Sequence, residues 1–280
     1  MSKKTVVGLI FGGRSAEHEV SLVSAGAVHK NLDRERYDVR SIYIGRDGRW
    51  KPVAAPASDL RTLDAGPAFS FLPWEPGAPL GGAPVDIYFP VLHGPFGEDG
   101  TVQGLLEMAG VPYVGTGVLG SAVGMDKAVA KAVLRDRGLP VVPSAVVRET
   151  EWRAGAGKVA RRVRRALPLP LFVKPANLGS SVGITKVKSY PGLGAALDLA
   201  FRYDATALVE KGIAGRELEV SVLGNEAPEA SLPGEVIPHN EFYDYDDKYK
   251  DGRTAFGIPA RLGPQVTARV RALAVAAFEA

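Results

Sequence analysis

The sequence contains no cysteine, no long hydrophobic run and little net charge. Without cysteine, the 280 residues cannot form a disulfide, a thiolate metal site or a thiol nucleophile. The apolar run at residues 6–11 is too short to span a membrane, and it ends at Gly12 and Gly13 without a cleavage site for a signal peptide. A net charge of +3 gives no reason to expect a nucleic-acid partner. We therefore expect a globular, cytoplasmic protein with no membrane partner, long enough for two or three domains.

The densest run of positive charge lies in residues 158–165. It consists of one lysine and four arginines, interleaved with valine and alanine at helical spacing. No aromatic residues accompany the arginines, as a platform for single-stranded nucleic acid would require. We interpret the run as the solvated face of a helix.

Strand and helix patterns alternate over roughly the first 115 residues, which predicts a doubly wound parallel sheet. The strand patterns cover residues 5–11, 37–44, 85–92 and 111–114, and the helical patterns cover residues 19–31 and 101–109. Between them, residues 51–84 hold seven prolines and four glycines without a sustained period. We interpret that stretch as a surface insertion or loop and assign it no function.

The rest of the chain has an α+β pattern. Helical patterns cover residues 121–137, 155–167, 193–203 and 264–280, and strand patterns cover residues 141–147, 171–173, 206–211, 217–223 and 235–238. A polar loop rich in tyrosine and aspartate occupies residues 241–254. We predict three domains, with an α/β domain at 1–124 followed by two α+β domains at 125–210 and 211–280.

Two glycine-containing loops follow the first and third strands of the predicted parallel sheet. They occupy residues 12–19 and 92–101. Glycine is common at strand–helix junctions for structural reasons alone. However, ligands of such sheets bind at the carboxyl ends of the strands, where both loops lie, so together they indicate a binding site.

A glycine- and serine-rich loop follows a lysine in the second half of the chain. Lys174 ends an apolar strand pattern, and Ser180 and Ser181 lie between Gly179 and Gly183. Glycines allow main-chain N–H groups to approach an anion closely, and the lysine and hydroxyls add donors. Because the lysine precedes the glycines, this is not the GxxxxGK[ST] nucleotide loop. Taken alone, the stretch is about equally consistent with a phosphate site and with a hairpin turn that carries a surface lysine.

Several charged residues could complete a nucleotide site around this loop. Lys127 and Lys174 come from different elements, and two lysines would offset the charges of a polyphosphate. Glu210 ends an apolar strand pattern, where it could accept a hydrogen bond from the amino group of adenine. Glu217 follows seven residues later, placed to accept hydrogen bonds from ribose hydroxyls.

Six motifs in order along the chain resemble ATP-grasp enzymes and, more narrowly, the D-alanine–D-alanine ligase family. They are residues 12–21, 93–100, 125–127, 174–183, 210–211 and 242–249. The motifs span nearly the whole chain in the order of the family, which makes the resemblance specific. It implies an ATP-grasp fold in the second half of the chain, so that residues 125–210 and 211–280 would form the ATP-grasp domain pair, the latter incomplete.

The resemblance also implies a role for each matched residue. Glu17 would hold the amino group of the first D-alanine, Val20 would line that pocket, and His93 would lie near the substrate carboxylate. Glu17, Ser180 and Tyr249 would be the catalytic residues, linked by hydrogen bonds. The residues that would contact ATP are Lys127, Lys174, Ser181, Val182, Gly183, Glu210, Lys211, Ile213, Glu217 and Lys248.

The implied reaction forms D-alanyl-D-alanine for peptidoglycan. A D-alanine carboxylate would attack the γ-phosphate of ATP, and the amine of a second D-alanine would then displace phosphate from the acyl phosphate. The family also implies Mg²⁺ or Mn²⁺ as cofactor and a homodimer as the assembly.

Simpler explanations exist for some of these residues. Glu17 could be a carboxylate favoured at a helix start by the helix dipole. His93 could be a turn residue. Tyr243, Tyr245 and Tyr249 could form a packed aromatic stripe, although the surrounding aspartates and lysines favour a mobile lid.

The sequence departs from the family at its end. The family's metal-binding motif, of the Asn-Glu-Ile-Asn-Thr-x-Pro-Gly type, is absent, and Glu279 is the only carboxylate side chain after Arg261. We therefore expect the metal ligands to lie beyond residue 280, the chain to be truncated, and these 280 residues alone to be inactive. The alternatives are a non-catalytic nucleotide-binding remnant and another ATP-grasp ligase, either a different carboxylate–amine ligase or one that makes D-alanyl-D-lactate. Tyr249 argues against the D-alanyl-D-lactate class, whose loop has a different signature.

Overall fold

The computed structural model describes residues 3–56, 63, 68, 85–239, 241 and 253–280. The chain divides into two compact units, Met1–Met125 and Asp126–Ala280. The predicted boundary near residue 210, within the second unit, stays a prediction. No helix in the described ranges is long and apolar enough to cross a membrane.

The first unit is built around a four-stranded sheet. Its elements are β1 (Thr5–Gly12), α1 (His18–Asn31), β2 (Tyr37–Ile44), β3 (Trp50–Val53), β4 (Ile87–Val91), α2 (Thr101–Met108) and α3 (Val118–Met125). The strand order is β3-β2-β1-β4, in which β1 is parallel to both β2 and β4 and β3 is antiparallel to β2. The predicted parallel sheet is confirmed, with one antiparallel edge strand added.

Strand β1 is apolar throughout because helices cover both faces of the sheet. Leu9 packs in one buried cluster with Leu22 of α1, whereas Ile10 packs in another cluster with Leu106 of α2. A strand that is buried on both faces has a continuous apolar sequence rather than an alternating one. Since β1 and β4 are parallel, the loops that follow them leave the same rim of the sheet.

The segment from residue 51 onward is not wholly the surface loop that its composition predicts. Lys51 to Val53 belong to β3, and Pro52 is tolerated because this strand lies at the sheet edge. Leu63 is buried in the same cluster as Leu9. The strand predicted at residues 111–114 is reduced to a single bridge between Tyr88 and Tyr113.

Within its described residues, the second unit contains three antiparallel sheets. Its helices are α4 (Lys127–Asp136), α5 (Glu149–Ala166), α6 (Leu193–Ala200) and α7 (Pro264–Phe278). Its strands are β5 (Ser144–Arg148), β6 (Leu171–Pro175), β7 (Thr185–Val187), β8 (Thr206–Lys211), β9 (Glu217–Glu219), β10 (Val222–Leu223), β11 (Glu229–Ala230), β12 (Gly234–Ile237) and β13 (Ala255–Gly257). The strand orders are β5-β8-β6-β7, β13-β12-β9 and β10-β11.

Helices α5 and α6 contribute to the core beside the four-stranded sheet of this unit. Val159 and Val163 of α5 join Leu197 of α6 and Val173 of β6 in one buried cluster. The arginines and the lysine at residues 158–165 are exposed on the other side of α5, so the predicted solvated helix face is confirmed.

Two elements predicted as continuous are divided. The helix pattern at residues 121–137 forms α3 and α4, because Asp126 has an extended backbone and its carboxylate accepts from the amides of Ala128 and Val129 as an N-cap. The strand pattern at residues 217–223 forms β9, which pairs with β12, and β10, which pairs with β11. In both cases the apolar sequence pattern continues across the break, so that only the hydrogen bonds show where one element ends and the next begins.

Candidate active site

In the first unit, a serine joins the two glycine-containing loops. The amide of Glu17 donates to Ser15 Oγ over 3.2 Å, and Ser15 Oγ donates to the carbonyl of His93 over 2.6 Å. Both Ser15 and Glu17 are buried, the latter with 8% of its surface exposed. The loop after β1 and the loop after β4 are therefore held together at His93, the residue predicted to lie near the substrate carboxylate.

One face of α1 adds further bonds to the same loops. Ser21 Oγ accepts from the amide of Gly12 over 2.7 Å and donates to the carbonyl of Val91. His18 Nδ1 lies 2.6 Å from the carbonyl of Gly13. Because a carbonyl oxygen only accepts, Nδ1 carries a proton, and the hydroxyl of Tyr43 lies 3.2 Å from the other ring nitrogen. His18 and Ser21 are fully buried, so these bonds fix the loop without help from solvent.

The loop after β4 has a tight geometry that requires glycine. Gly94 has φ +71°, and a Cβ at this position would collide with Glu17 Oε2. The amide of Gly94 donates to Glu98 Oε2 over 2.6 Å, and His93 Nε2 lies 3.0 Å from Ser24 Oγ of α1. The structure therefore brings the predicted residues Glu17 and His93 into one small region of the first unit.

Val20, the third residue predicted for the first D-alanine, lies half-buried on α1. It is three positions from Glu17, which is about one helical turn. The sequence reasoning missed the hydroxyls of Ser15, Ser21 and Ser24. Ser21 and Ser24 are three residues apart, so a helical period could have placed these two on one face of α1, whereas Ser15 precedes the helix.

In the second unit, Lys127 is tied to the chain that leads into the glycine–serine loop. Its Nζ donates to the carbonyls of Ala176, over 3.2 Å, and Leu178. Burial lowers the pKa of the Lys127 ammonium, and the positive charge of Lys174 lowers it further. The positive charges of the two predicted phosphate-binding lysines therefore lie close enough to repel each other. A polyphosphate site needs such a concentration of positive charge.

A buried carboxylate lies between Lys174 and a third lysine. Lys174 of β6 forms an ion pair with Glu210 Oε2 of β8, and Lys131 of α4 lies 2.6 Å from Glu210 Oε1. Burial raises the pKa of the Glu210 carboxyl, but the charge of Lys174 and the hydrogen bonds from both lysines outweigh it, so that this pKa lies below its usual value. Glu210 is therefore ionised and doubly paired at neutral pH.

The glycine–serine loop has an unusual backbone. Ser180 and Ser181 have φ values of +50° and +60°, and Gly183 has φ +71°. Left-handed backbone costs free energy in residues with a side chain, and such residues concentrate at ligand sites. A Cβ on Gly183 would collide with the side chains of Tyr203 and Pro175, so glycine is required there. Of the other predicted residues in this loop, Ser180 is buried and Ser181 and Val182 are half-buried.

A cavity of about 650 Å³ lies in the second unit, between β6, β7 and the segment that follows β8. Its lining includes the predicted residues Ile213 and Glu217, together with Phe172 and Lys186. Lys186 Nζ lies 5.5 Å from the centre of the Phe172 ring. This cavity has a volume suited to a small organic ligand.

The predicted contacts Glu210 and Lys211 do not line this cavity. Lys211 is exposed at the end of β8, and its amide donates to the carbonyl of Pro143 over 3.0 Å. The carboxylate of Glu210 contacts the lysines, and its role at adenine stays a prediction. Lys248, like Tyr249 and the remainder of residues 242–249, lies outside the described residues.

The sequence reasoning missed Lys131, Phe172 and Lys186. Lys131 follows Lys127 by four residues, so a helical period would have placed both on one face of α4. Phe172 precedes Lys174 by two residues, so a strand period would have placed both on one face of β6. These spacings are present in the sequence, but they point to a shared site only when the strands that pack beside them are known.

Two other observations on the described residues give no further candidate site. A cavity of about 820 Å³ along α5 is lined by that helix alone and contains no predicted site residue. No group of three or more His, Asp or Glu side chains in the described ranges could hold a metal ion. The described residues thus do not fit the divalent cation that the family implies, and no step below is assigned to a metal.

Known families match both units. Residues 6–116 match the D-ala D-ala ligase N-terminus, and residues 133–280 match the D-ala D-ala ligase C-terminus. The D-alanine–D-alanine ligase of Solibacter usitatus is 50% identical over 277 residues, which cover 99% of this chain and 77% of the relative. The D-alanine–D-alanine ligase of Natranaerobius thermophilus is 45% identical over 286 residues, which cover 99% and 78%.

Solved structures match over the same extent. The D-alanine–D-alanine ligase from Coxiella burnetii has a TM-score of 0.84 and 36% identity, and covers 99% of this chain and 77% of that one. The VanG D-Ala:D-Ser ligase from Enterococcus faecalis has a TM-score of 0.83 and 34% identity, and covers 99% and 82%. These neighbours confirm the predicted ATP-grasp architecture. The chain belongs to the D-alanine–D-alanine ligase family.

Proposed function

We propose that this protein joins two D-alanine molecules in a reaction driven by ATP. The observation that carries the proposal is the cluster of Lys127, Lys174 and Glu210 next to the left-handed Ser180–Ser181 backbone, in a member of this family. Lysines from different elements, beside a loop with left-handed backbone, can together offset the charges of a polyanion.

The reaction has two bond exchanges. A carboxylate oxygen of the first D-alanine attacks the γ-phosphorus of ATP, the bond from that phosphorus to the bridging oxygen breaks, and ADP leaves. The amine of the second D-alanine then attacks the acyl carbon, the carbon–oxygen bond to phosphate breaks, and the nitrogen releases a proton. The product, D-alanyl-D-alanine, is a building block of peptidoglycan.

The proposed roles follow the position of each residue. Glu17 and His93 hold the amino and carboxylate groups of the first D-alanine, supported by the hydrogen bonds between their loops. Lys127 and Lys174 hold ATP phosphates, because positioned positive charge offsets the charge that spreads over the transferred group. The cavity beside Phe172 holds the adenosine part of ATP.

Three further properties are proposed on the family alone. The reaction uses Mg²⁺ or Mn²⁺, the protein acts as a homodimer, and it works in the cytoplasm, where ATP is available. Light scattering after gel filtration tests the dimer. Replacement of Mg²⁺ by EDTA in the ligation assay tests the metal requirement.

A ligation assay tests the proposed function. The protein is incubated with ATP, Mg²⁺ and D-alanine, and phosphate and dipeptide are measured. We expect phosphate release that depends on D-alanine and equals the amount of dipeptide. D-Serine and D-lactate are added as competing second substrates.

The assay separates the alternatives. Nucleotide binding without dipeptide would identify a non-catalytic remnant. A mixed product with D-serine would favour another carboxylate–amine ligase, and a mixed product with D-lactate at neutral pH would favour a depsipeptide ligase. Lys158→Met, at an exposed position on α5, is the matched control and should not change any rate.

A further inference from the structure

Glu210 shares its two carboxylate oxygens between two lysines from different elements. Oε1 lies 2.6 Å from Lys131 Nζ, and Oε2 is paired with Lys174 Nζ. The exposed fraction of the side chain is 9% for Glu210, 16% for Lys131 and 21% for Lys174. At such burial a charge that loses its partner is costly, because water cannot replace it.

The two lysines are held differently. Lys131 Nζ also donates to the carbonyl of Val142 over 3.1 Å, so the ammonium is fixed between that carbonyl and Glu210. Within the part of the chain that the structure describes, Glu210 is the only hydrogen-bond or ion-pair partner of Lys174 Nζ. Lys174 lies on β6, which leads into the Ser180–Ser181 loop. Lys174 can therefore change partner, whereas Lys131 cannot do so without losing two bonds.

We propose that Lys131 is a positioning residue for nucleotide binding, which neutralises Glu210 so that Lys174 is free to move from this carboxylate to a phosphate. The inference rests on the proposed function, in which Lys174 binds ATP. In the structure Glu210 is paired with Lys174, and this contact keeps the Lys174 ammonium in the site. When the nucleotide binds, Glu210 gives up Lys174 and keeps Lys131, so no buried carboxylate is left unpaired.

The proposal predicts that the effect of Lys131 depends on Glu210. Without Lys131, the carboxylate would have Lys174 as its remaining partner and would compete with the phosphate for it. With a neutral amide at position 210, that competition disappears and Lys131 loses its role. A residue that merely supports the fold would instead show the same effect in both backgrounds.

A double-mutant cycle measured by calorimetric titration with ADP tests this dependence. The variants are Lys131→Met, Glu210→Gln and the double variant, with Lys158→Met as the matched control on an exposed helix face. We expect Lys131→Met to raise the Kd for ADP about tenfold when Glu210 is present and less than about twofold in the Glu210→Gln background. Lys131→Arg should restore most of the affinity, and Lys158→Met should leave it unchanged.

Other results would overturn the inference. Equal losses in the two backgrounds, or no loss with Lys131→Met, would show that Lys131 does not act through Glu210. If Lys131→Met does not fold, Lys131→Gln removes the charge but keeps a donor for the Val142 carbonyl, and the same comparison applies. If the wild-type chain binds ADP and the dependence is absent, this inference alone fails. If the wild-type chain binds no ADP, the proposed function fails together with it.

Discussion

Replacing Lys174 with alanine removes one of the proposed ligands of the ATP phosphates and, among the described residues, one of the two ion-pair partners of Glu210. A hydrogen bond to a charged group contributes about 1.5–3 kcal/mol. In this protein Lys174 already has a charged partner before the nucleotide binds, so binding exchanges one charged contact for another. We therefore expect the lower end of that range, about 1.5 kcal/mol, which corresponds to a rise of about tenfold in the Kd for ADP.

The same substitution has a second effect, on stability. The Glu210 side chain is 9% exposed and, among the described residues, would keep Lys131 alone as its ion-pair partner. Loss of one partner from a buried charged group costs about 1–3 kcal/mol of the free energy of unfolding. Lys174→Ala should therefore lower the urea midpoint as well as the affinity, whereas Lys174→Ala combined with Glu210→Gln should recover part of the stability but not the affinity.

Calorimetric titration with ADP and urea unfolding followed by circular dichroism measure the two effects separately. Lys158→Ala, on the exposed face of α5, is the control for loss of a lysine as such. An unchanged Kd in a folded Lys174→Ala protein would remove Lys174 from the phosphate site. An unchanged urea midpoint would contradict the assignment of the Lys174–Glu210 pair as a buried, stabilising contact.

Three other substitutions test the first unit and the lid motif. Gly94→Ala places a Cβ against Glu17 Oε2 in a left-handed backbone, so we expect the KM for D-alanine to rise at least about tenfold. An unchanged KM would contradict this geometry. Ser21→Ala leaves the buried amide of Gly12 and the carbonyl at the end of β4 without their shared hydroxyl, and should lower the free energy of unfolding by about 1–3 kcal/mol in urea. Tyr249→Phe, in the predicted lid, should let D-lactate compete with D-alanine at lower pH, and a product mixture of dipeptide alone would refute it.

The sequence by itself determined the elements whose pattern is continuous and local. Strand β8 has the predicted bounds, because a run of apolar residues between turn signals leaves little choice of secondary structure. The ordered motifs also indicated the family, since glycines and lysines at fixed positions reflect a requirement of the backbone and of the ligand. For Gly94 and Gly183, the structure shows the collision that makes glycine necessary.

Only the tertiary structure decided which polar groups meet. Ser15 and His93 are 78 residues apart in sequence, and nothing in the sequence around either residue predicts the hydrogen bond between them. The pairing of Lys131 and Lys174 with Glu210 requires that α4, β6 and β8 converge, which depends on sheet order. The local sequence pattern indicates whether a side chain is buried and on which face of a helix or strand it lies. The partner of a buried charge is determined instead by strand order and helix packing.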